Sequence, residues 1–327
     1  MSILTYREAC RQAIWEEMER DQNVIVFGED VALVGGTFKV TAGMLEKFGS
    51  DRVLDTPISE AAIIGAAAGS AMTGLRPIGE LMFIDFVTVG MDQLVNQAAK
   101  WHYMTGGQVN VPMVIRAATG TGRRMAAQHS QNLEAWFTHV PGLKVIMPSC
   151  PRDAKGLLKS AIRDNNPVLF LEHKIMYNDE GEVQEGEFTI PIGKADVKRK
   201  GIDCTIVALS RMVSYSLKAA EILEKENISV EIVDPRTLKP LDIDTIVASV
   251  QKTNRLAIVH EAVEMSGFGA EIAAQVGVKA FTDLDAPILR ICGQESPIPF
   301  SPPLEDASIP SVKKIVTKLR DLVKGGI

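Results

Sequence analysis

Short apolar runs alternate along this 327-residue chain with stretches of helical character. That alternation constrains the fold more than any other feature. A strand that is apolar on both faces must be covered on both faces, which a parallel sheet between layers of helices achieves. "VIVFGED", from Val24 to Asp30, is such a run, closed by polar residues. Ahead of it, Thr5 and Glu8 make a capping-box pattern, and Ala9, Ala13, Ile14 and Met18 follow at helical spacing. After it come a segment with helical character, "TFKVTAGMLEKFG", then "RVLDTPIS", and a helix that opens near Glu60 and stops at Gly74, before Pro77. "PIGELMFIDF", "VPMVIRAATG", "LKVIMPSC" and "PVLFLEH" read as further strands. "VTVGMDQLVNQAAKWHYM" and "PRDAKGLLKSAIRD" read as helices, the second with Pro151 in its first turn.

The pattern breaks between about Lys174 and Gly201, where the chain is charged and glycine-containing with short strand-like pieces. A second alternation follows. Strands are expected at "CTIVALS", "SVEIVD", "RLAIVHE" and "PILRICG", and helices at "SLKAAEILEKEN", "IDTIVASVQKT" and "FGAEIAAQVGVKAF". A proline-rich crossing then leads to a last amphipathic helix. The expected class is α/β, with two doubly wound domains at residues 1–180 and 201–327 and a linker at 181–200.

Hydrophobic residues make up 46% of the chain and charged residues 23%, an ordinary globular balance. A net charge of −6 argues against a nucleic-acid partner, which calls for a basic surface. Cys10, Cys150, Cys204 and Cys292 are scattered, so free thiols and a reducing compartment are expected. The first twenty residues carry charges throughout, unlike a signal peptide. No apolar run reaches the roughly 20 residues needed to span a bilayer. A cytoplasmic protein without a membrane partner is expected.

Familiar cofactor signatures are incomplete. "ATGTGRRM" and "EMSGFGAEIA" each follow a strand, but each lacks the third glycine of a dinucleotide fingerprint. There is no P-loop lysine motif and no His-Glu-x-x-His. The five histidines are dispersed, which argues against a zinc site built by this chain. One carboxylate is placed suggestively. Glu60 stands after Ser59, at the mouth of the small-residue run "AAIIGAAAGSAM". An acid there is favourable in any case, because it meets the positive end of the helix dipole. A helix so free of charge is also expected to be buried, and its mouth then opens on an interior pocket rather than on water. A carboxyl in such a pocket suits proton sharing. Glu29 and Phe86 lie at the carboxyl ends of strands, where open sheets place ligands, although an aromatic there also suits a core. His129, in "AAQHSQNLEAWFTHVPG", is either a polar loop residue or a group titrating near neutral pH beside a ligand.

Taken together, "GEDV", "LDTPISEAAIIGAAAGSAMTGLRPIGE", "AAQHSQNLEAWFTHVPGLKVIMPS", "DAKGLLKSAIRDNNPVLFLE", "VDPRTLKPLD" and "GFGAEIA" resemble, in order and end to end, the β subunit of the thiamine-diphosphate-dependent first component of 2-oxo acid dehydrogenase complexes. The resemblance implies a transketolase-like pyrimidine-binding domain followed by a transketolase C-terminal-like domain. It implies that Glu60 hydrogen-bonds the pyrimidine ring of thiamine diphosphate and favours its imino tautomer, which can deprotonate the thiazolium carbon. Phe86 matches the ring stacked on the pyrimidine, and Ile58 and Met82 match apolar walls. Glu29 matches an acid that relays protons, and His129 a histidine at the substrate end. A potassium site in some relatives maps to the carbonyls of Met113, Ala161 and Ile162 with Asp164 and Asn166, where a plain helix C-terminal turn fits as well.

In this family the diphosphate and Mg2+ are held by a Gly-Asp-Gly segment followed by asparagine, which this sequence lacks. The resemblance therefore implies a site shared with an α subunit in an α2β2 heterotetramer, which passes an acetyl group to a lipoyl acyltransferase core. "ELMFIDF" and the segment from Tyr177 to Gly201 look more like acetoin dehydrogenase than branched-chain β subunits, and pyruvate dehydrogenase β subunits share "AAQHSQ" and "AIRDNNPV". Acetoin cleavage or pyruvate decarboxylation is the expected activity. A branched-chain 2-oxo acid enzyme, a non-catalytic docking subunit and a dinucleotide-dependent oxidoreductase are the alternatives.

Overall fold

The computed structural model describes residues 1–325, which group into two compact units. The first contains Met1–Thr119 and Trp136–Ile192, and the second contains Gly120–Ala135 and the chain from Gly193 onward.

The first unit opens with strand β1 (Ser2–Thr5) and helix α1 (Tyr6–Arg20). The capping box forms as expected: the Glu8 N–H donates to Thr5 Oγ1, and the Thr5 N–H donates to Glu8 Oε2. Then come β2 (Val24–Gly28), the short helix α2 (Met44–Phe48), β3 (Val53–Asp55), α3 (Glu60–Met72) and β4 (Arg76–Phe83). The single helix expected after β4 is instead three pieces. A 3-10 turn (Ile84–Gly90) leads through a π-helical stretch (Asp92–Ala98) into α4 (Ala99–Met104). Sequence periodicity cannot separate these, since each piece is only 6 or 7 residues long, too few turns for their different periods to show. β5 (Val114–Thr119), α5 (Glu134–Thr138, whose first two residues group with the second unit), β6 (Lys144–Ile146), α6 (Pro151–Arg163), β7 (Val168–His173) and β8 (Glu180–Val183) follow.

Within this unit the sheet order is β6-β7-β5-β4-β2-β3, with every neighbouring pair parallel. The central strands β5 and β7 are buried along their whole length, Arg116, Glu172 and His173 included. β8, within the segment read as a linker, pairs antiparallel with β1.

The second unit has β9 (Asp196–Arg199), β10 (Cys204–Ala208), α7 (Arg211–Glu224), β11 (Val230–Asp234), the short strand β12 (Thr237–Lys239) and α8 (Ile243–Thr253). They are followed by β13 (Leu256–Val263), α9 (Phe268–Lys279), β14 (Leu289–Gly293), α10 (Pro302–Ala307) and α11 (Val312–Val323). Its main sheet runs β14-β13-β10-β11-β9, parallel except for the edge strand β9, which lies antiparallel to β11. Ile206, Ile232, Val259 and Leu223 form the core with Ile315 and Leu319 of α11. No helix of the described residues is long and apolar enough to cross a membrane.

Candidate active site

In the first sheet the chain leaves β2 toward β3 on one side and toward β4 on the other. Open α/β sheets bind ligands beyond the carboxyl ends of the strands at such a reversal. Gly28 ends β2, and a Cβ there would stand 2.5 Å from the carbonyl oxygen of Glu80. Only a glycine lets β2 run this close to β4 at its exit. The Thr56 N–H donates to the Gly28 carbonyl at 2.9 Å and brings the chain back across the crevice before α3.

Glu29 follows Gly28 and is 7% exposed. Burial pushes its carboxyl above the usual range, and the charges of Glu60 and Asp30 push the same way. The Ser59 backbone N–H donates to it and opposes the shift. Glu29 Oε1 is buried without a hydrogen-bond partner. A buried carboxylate oxygen left so is costly. Its position beside a second carboxyl suits a proton, or a donor on a ligand, shared between the two.

Glu60 is half-buried at the mouth of α3. The helix comes close to the sheet over Gly79 of β4, which has no side chain to hold it off. A Cβ on Gly79 of β4 would stand 3.4 Å from Ile63 Cγ2 and 2.9 Å from Ile115 Cδ1. The expectation of a wholly buried helix is corrected here. Ile63, Ile64, Ala67, Ala68 and Ala71 are buried, whereas Ala62 and Ala66 face outward and are exposed. The missing charge leaves a smooth outer face, not a second buried one.

Aromatic side chains cluster in the same unit. Phe86 and Phe83 meet edge to face at 6.1 Å, Phe83 meets Phe38 in the same way at 6.1 Å, and Phe38 stacks on Tyr177 at 4.6 Å. Phe83 is buried, and Phe86 and Met82 are half-buried. Ile58 is 81% exposed and Leu33 is 83% exposed, so within this chain Ile58 stands out from the surface. The structure thus brings Glu29, Glu60, Met82 and Phe86 to one unit. His129 is half-buried in Gly120–Ala135, the segment that groups with the second unit.

The oxygens mapped to potassium lie where α6 ends. The Asp164 carboxylate pairs with Lys144 and accepts hydrogen bonds from the Asn166 backbone and side-chain amides at 2.8 and 2.9 Å. Burial pushes the Asp164 carboxyl up, but these partners outweigh it and hold it below the usual range. Arg76 Nη1 donates to the carbonyls of Ile162 and Asp164. The Ala161 carbonyl accepts from the Asp164 N–H and the Met113 carbonyl from the Val168 N–H. The donor set suits a hard cation in kind, yet two cations of the chain itself, Lys144 and Arg76, already meet it.

Several buried charged groups escaped the sequence reading. Arg116, Glu80 and Glu172 form an ionic triad inside the first sheet. In the second unit, Glu134 pairs with His260, and Glu261 and Glu305 accept backbone N–H groups of the His129 segment. "VHE" lies near the carboxyl end of β13 much as "GED" lies at the exit of β2, which was a usable signal for Glu261. Glu305, in a proline-rich crossing, offered none.

Comparison with known proteins sets this geometry in a class. Residues 2–180 match the transketolase pyrimidine-binding domain and residues 193–315 the transketolase C-terminal domain. Among solved structures, a split-gene transketolase in the form of an inactive β4 tetramer superposes with a TM-score of 0.81 at 22% identity, over 98% of this chain and 99% of that one. Transketolase from Leishmania mexicana superposes with a TM-score of 0.71 at 18% identity, over 99% of this chain and 46% of that one. These two likenesses speak for the fold.

Closer relatives narrow the class. The chain is 51% identical to the β subunit of acetoin:2,6-dichlorophenolindophenol oxidoreductase from Cupriavidus necator, over 99% of this chain and 98% of the relative. It is 48% identical to the β subunit of the pyruvate dehydrogenase E1 component from Rhizobium meliloti, over 98% of this chain and 70% of the relative. The Bacillus subtilis acetoin:2,6-dichlorophenolindophenol oxidoreductase β subunit is also 48% identical, over 98% and 97%. The chain belongs to the family of transketolase-like β subunits found in the thiamine-diphosphate-dependent first components of acetoin and 2-oxo acid dehydrogenases.

Proposed function

We propose that this chain supplies the pyrimidine side of a thiamine diphosphate site completed by an α subunit, and that the assembly cleaves acetoin or decarboxylates pyruvate. The observation that carries this reading is the pair of carboxyls, Glu29 and Glu60, at the reversal of the first sheet, with one buried oxygen of Glu29 unsatisfied. When bound, thiamine diphosphate supplies a carbon acid that becomes a nucleophile and an electron sink for the bond that breaks.

The chain's own residues supply proton handling and shape. Glu60 holds a proton against a pyrimidine ring nitrogen, as a carboxyl at a helix mouth can. Glu29, whose raised affinity for a proton comes from burial and from Glu60, keeps a proton available beside it. Phe86 and Met82 give the ring an apolar surface, and Ile58 becomes a wall once an α subunit covers it. His129 donates or accepts a proton at the substrate end. The diphosphate and Mg2+ fall to the α subunit, and the acetyl group passes to a lipoyl acyltransferase core. The exposed Leu33, Ile58, Ala62 and Ala66 support a partner seated at this mouth. We place the assembly in the cytoplasm.

The test is reconstitution. With a cognate α subunit, Mg2+ and thiamine diphosphate, the assembly is expected to reduce 2,6-dichlorophenolindophenol with acetoin or pyruvate, and this chain alone is expected to be inert. Turnover by this chain alone, or none by a folded α/β assembly on either substrate, would reject the proposal.

The potassium set calls for its own measurement. Lys144→Met removes the ammonium that pairs with Asp164. If the mapped oxygens take an alkali ion, the variant should melt several degrees higher in potassium chloride than in sodium chloride of equal strength. Identical melting curves in the two salts would dispose of the site.

A further inference from the structure

We propose that the second unit holds the His129 segment in place, with Glu261, Glu305 and His260 as its positioning residues. This rests on His129 acting at the substrate end, as proposed above. In the second sheet the chain leaves β10 toward β11 on one side and reaches β13 on the other, so the reversal lies beside the carboxyl ends of β10 and β13. A ligand crevice belongs there in an open α/β sheet. His260 and Glu261, near the carboxyl end of β13, are instead bound by the chain's own segment Gly120–Ala135.

The segment is clamped on both sides of His129. Ahead of it, the Thr121 N–H donates to Glu261 Oε1 at 2.7 Å and the Gly122 N–H to Glu305 Oε1 at 2.6 Å. Arg124 Nη1 donates to Glu305 Oε2 and Asp306 Oδ1, each at 2.8 Å, and to the Pro302 carbonyl at 3.0 Å. Behind it, Glu134 pairs with His260. Glu134, His260, Glu261 and Glu305 are all buried. Separating groups that are already out of water leaves each without a partner, so these contacts resist opening far more than surface pairs do.

The backbone of the segment independently points to a structure imposed on it. Arg124 (φ 57°) and Ala126 (φ 59°) both lie in the left-handed region that side chains disfavour. Two such residues two positions apart persist only where the surroundings over-determine them. The strain is confined to the stretch between the acidic anchors and His129. The anchors therefore set where His129 stands. A displacement of about 1 Å at a group that handles a proton costs on the order of a hundredfold in rate.

The test uses the assembled α/β protein. Glu305→Ala removes the acceptor for both the Gly122 N–H and Arg124. Amide exchange at residues 120–130 should quicken at least about tenfold, since a local clamp has opened. The turnover number should fall about tenfold to a hundredfold, with a smaller change in KM. Glu305→Gln, which keeps an acceptor for the Gly122 N–H, should recover part of both. Arg124→Met breaks the same clamp from the segment side and serves if Glu305→Ala does not fold. Unchanged exchange in these variants overturns the proposal. So does faster exchange at full turnover when His129→Ala is inactive. Full turnover in His129→Ala would sink the role of His129 and the positioning claim with it, while the exchange data still show whether the clamp exists.

Discussion

Replacing Glu60 by glutamine in the α/β assembly is expected to lower turnover by about a hundredfold to ten-thousandfold, the range that a positioned proton-transfer group supplies. Glutamine keeps the length of the side chain and a carbonyl acceptor but can neither give up nor regain a proton at neutral pH. The fold should barely notice. Glu60 is half-buried in the first turn of α3 and is not among the residues that helix buries. Its loss to stability is the helix-dipole contribution, about 0.3–1 kcal/mol. Dye-linked turnover should therefore collapse while urea unfolding and association with the α subunit stay near wild type. A docking-only role for the chain predicts the opposite, full turnover in the variant.

The substitution also reports on its neighbour. Three causes raise the Glu29 carboxyl's affinity for protons: burial first, then the charge of Glu60, then that of Asp30. Glutamine removes only the second. Glu29 should then titrate lower than in the wild type but still above an ordinary glutamate, a difference that carbon-detected NMR of the labelled carboxyl resolves. An unchanged titration would mean that the two carboxyls do not sense each other, and the shared-proton reading would fail.

Much of the fold was legible in the sequence because parallel strands buried on both faces leave uninterrupted apolar runs. β2, β5, β7, β10 and β13 are largely apolar, with Arg116, Glu172, His173, His260 and Glu261 as the ionisable exceptions, and the structure places them in the sheets. What stayed hidden has physical reasons. The helix expected over Val87–Met104 splits into 3-10, π and α pieces, because period alone does not fix the hydrogen-bond register. β1 and β8 are held by pairing with each other, which no local signal announces. At the site, Glu60 was visible because a charge at the head of a charge-free helix stands out. The clamp on Gly120–Ala135 was not, since Glu305 lies more than 180 residues along the chain from the N–H it accepts, at Gly122. Arg116 was hidden for a related reason. A lone arginine in "VPMVIRAATG" reads as an exposed strand position, and only the neighbouring strands show that it is enclosed.

Arg116→Met is expected to destabilise the first unit by about 3–5 kcal/mol, the cost of removing one member of a buried ionic group. Arg116 is 2% exposed in the middle of β5. Its guanidinium forks onto Glu172 of β7, Nε to Oε1 and Nη2 to Oε2, both at 2.7 Å, while Nη1 donates to Glu80 of β4. One cation thus ties three parallel strands and offsets two carboxylates that are out of water. Methionine fills a similar length but leaves both acids without their counter-charge. The pH dependence gives the mechanism away. Burial already pushes the Glu80 carboxyl above its ordinary range, and Arg116 is the group that pulls it back. Without Arg116 the folded-state affinity for a proton rises further above the unfolded value of about 4.3. A carboxyl raised in the folded state contributes stability that is present at low pH and is lost as pH rises through its folded pKa. The deficit of the variant should therefore be larger at pH 7.5 than at pH 5 in urea unfolding. Adding Glu80→Gln and Glu172→Gln to the methionine variant should recover much of the loss, because the uncompensated charges go with them. A deficit under about 1 kcal/mol, or one that does not change with pH, would show that the triad is incidental to the sheet.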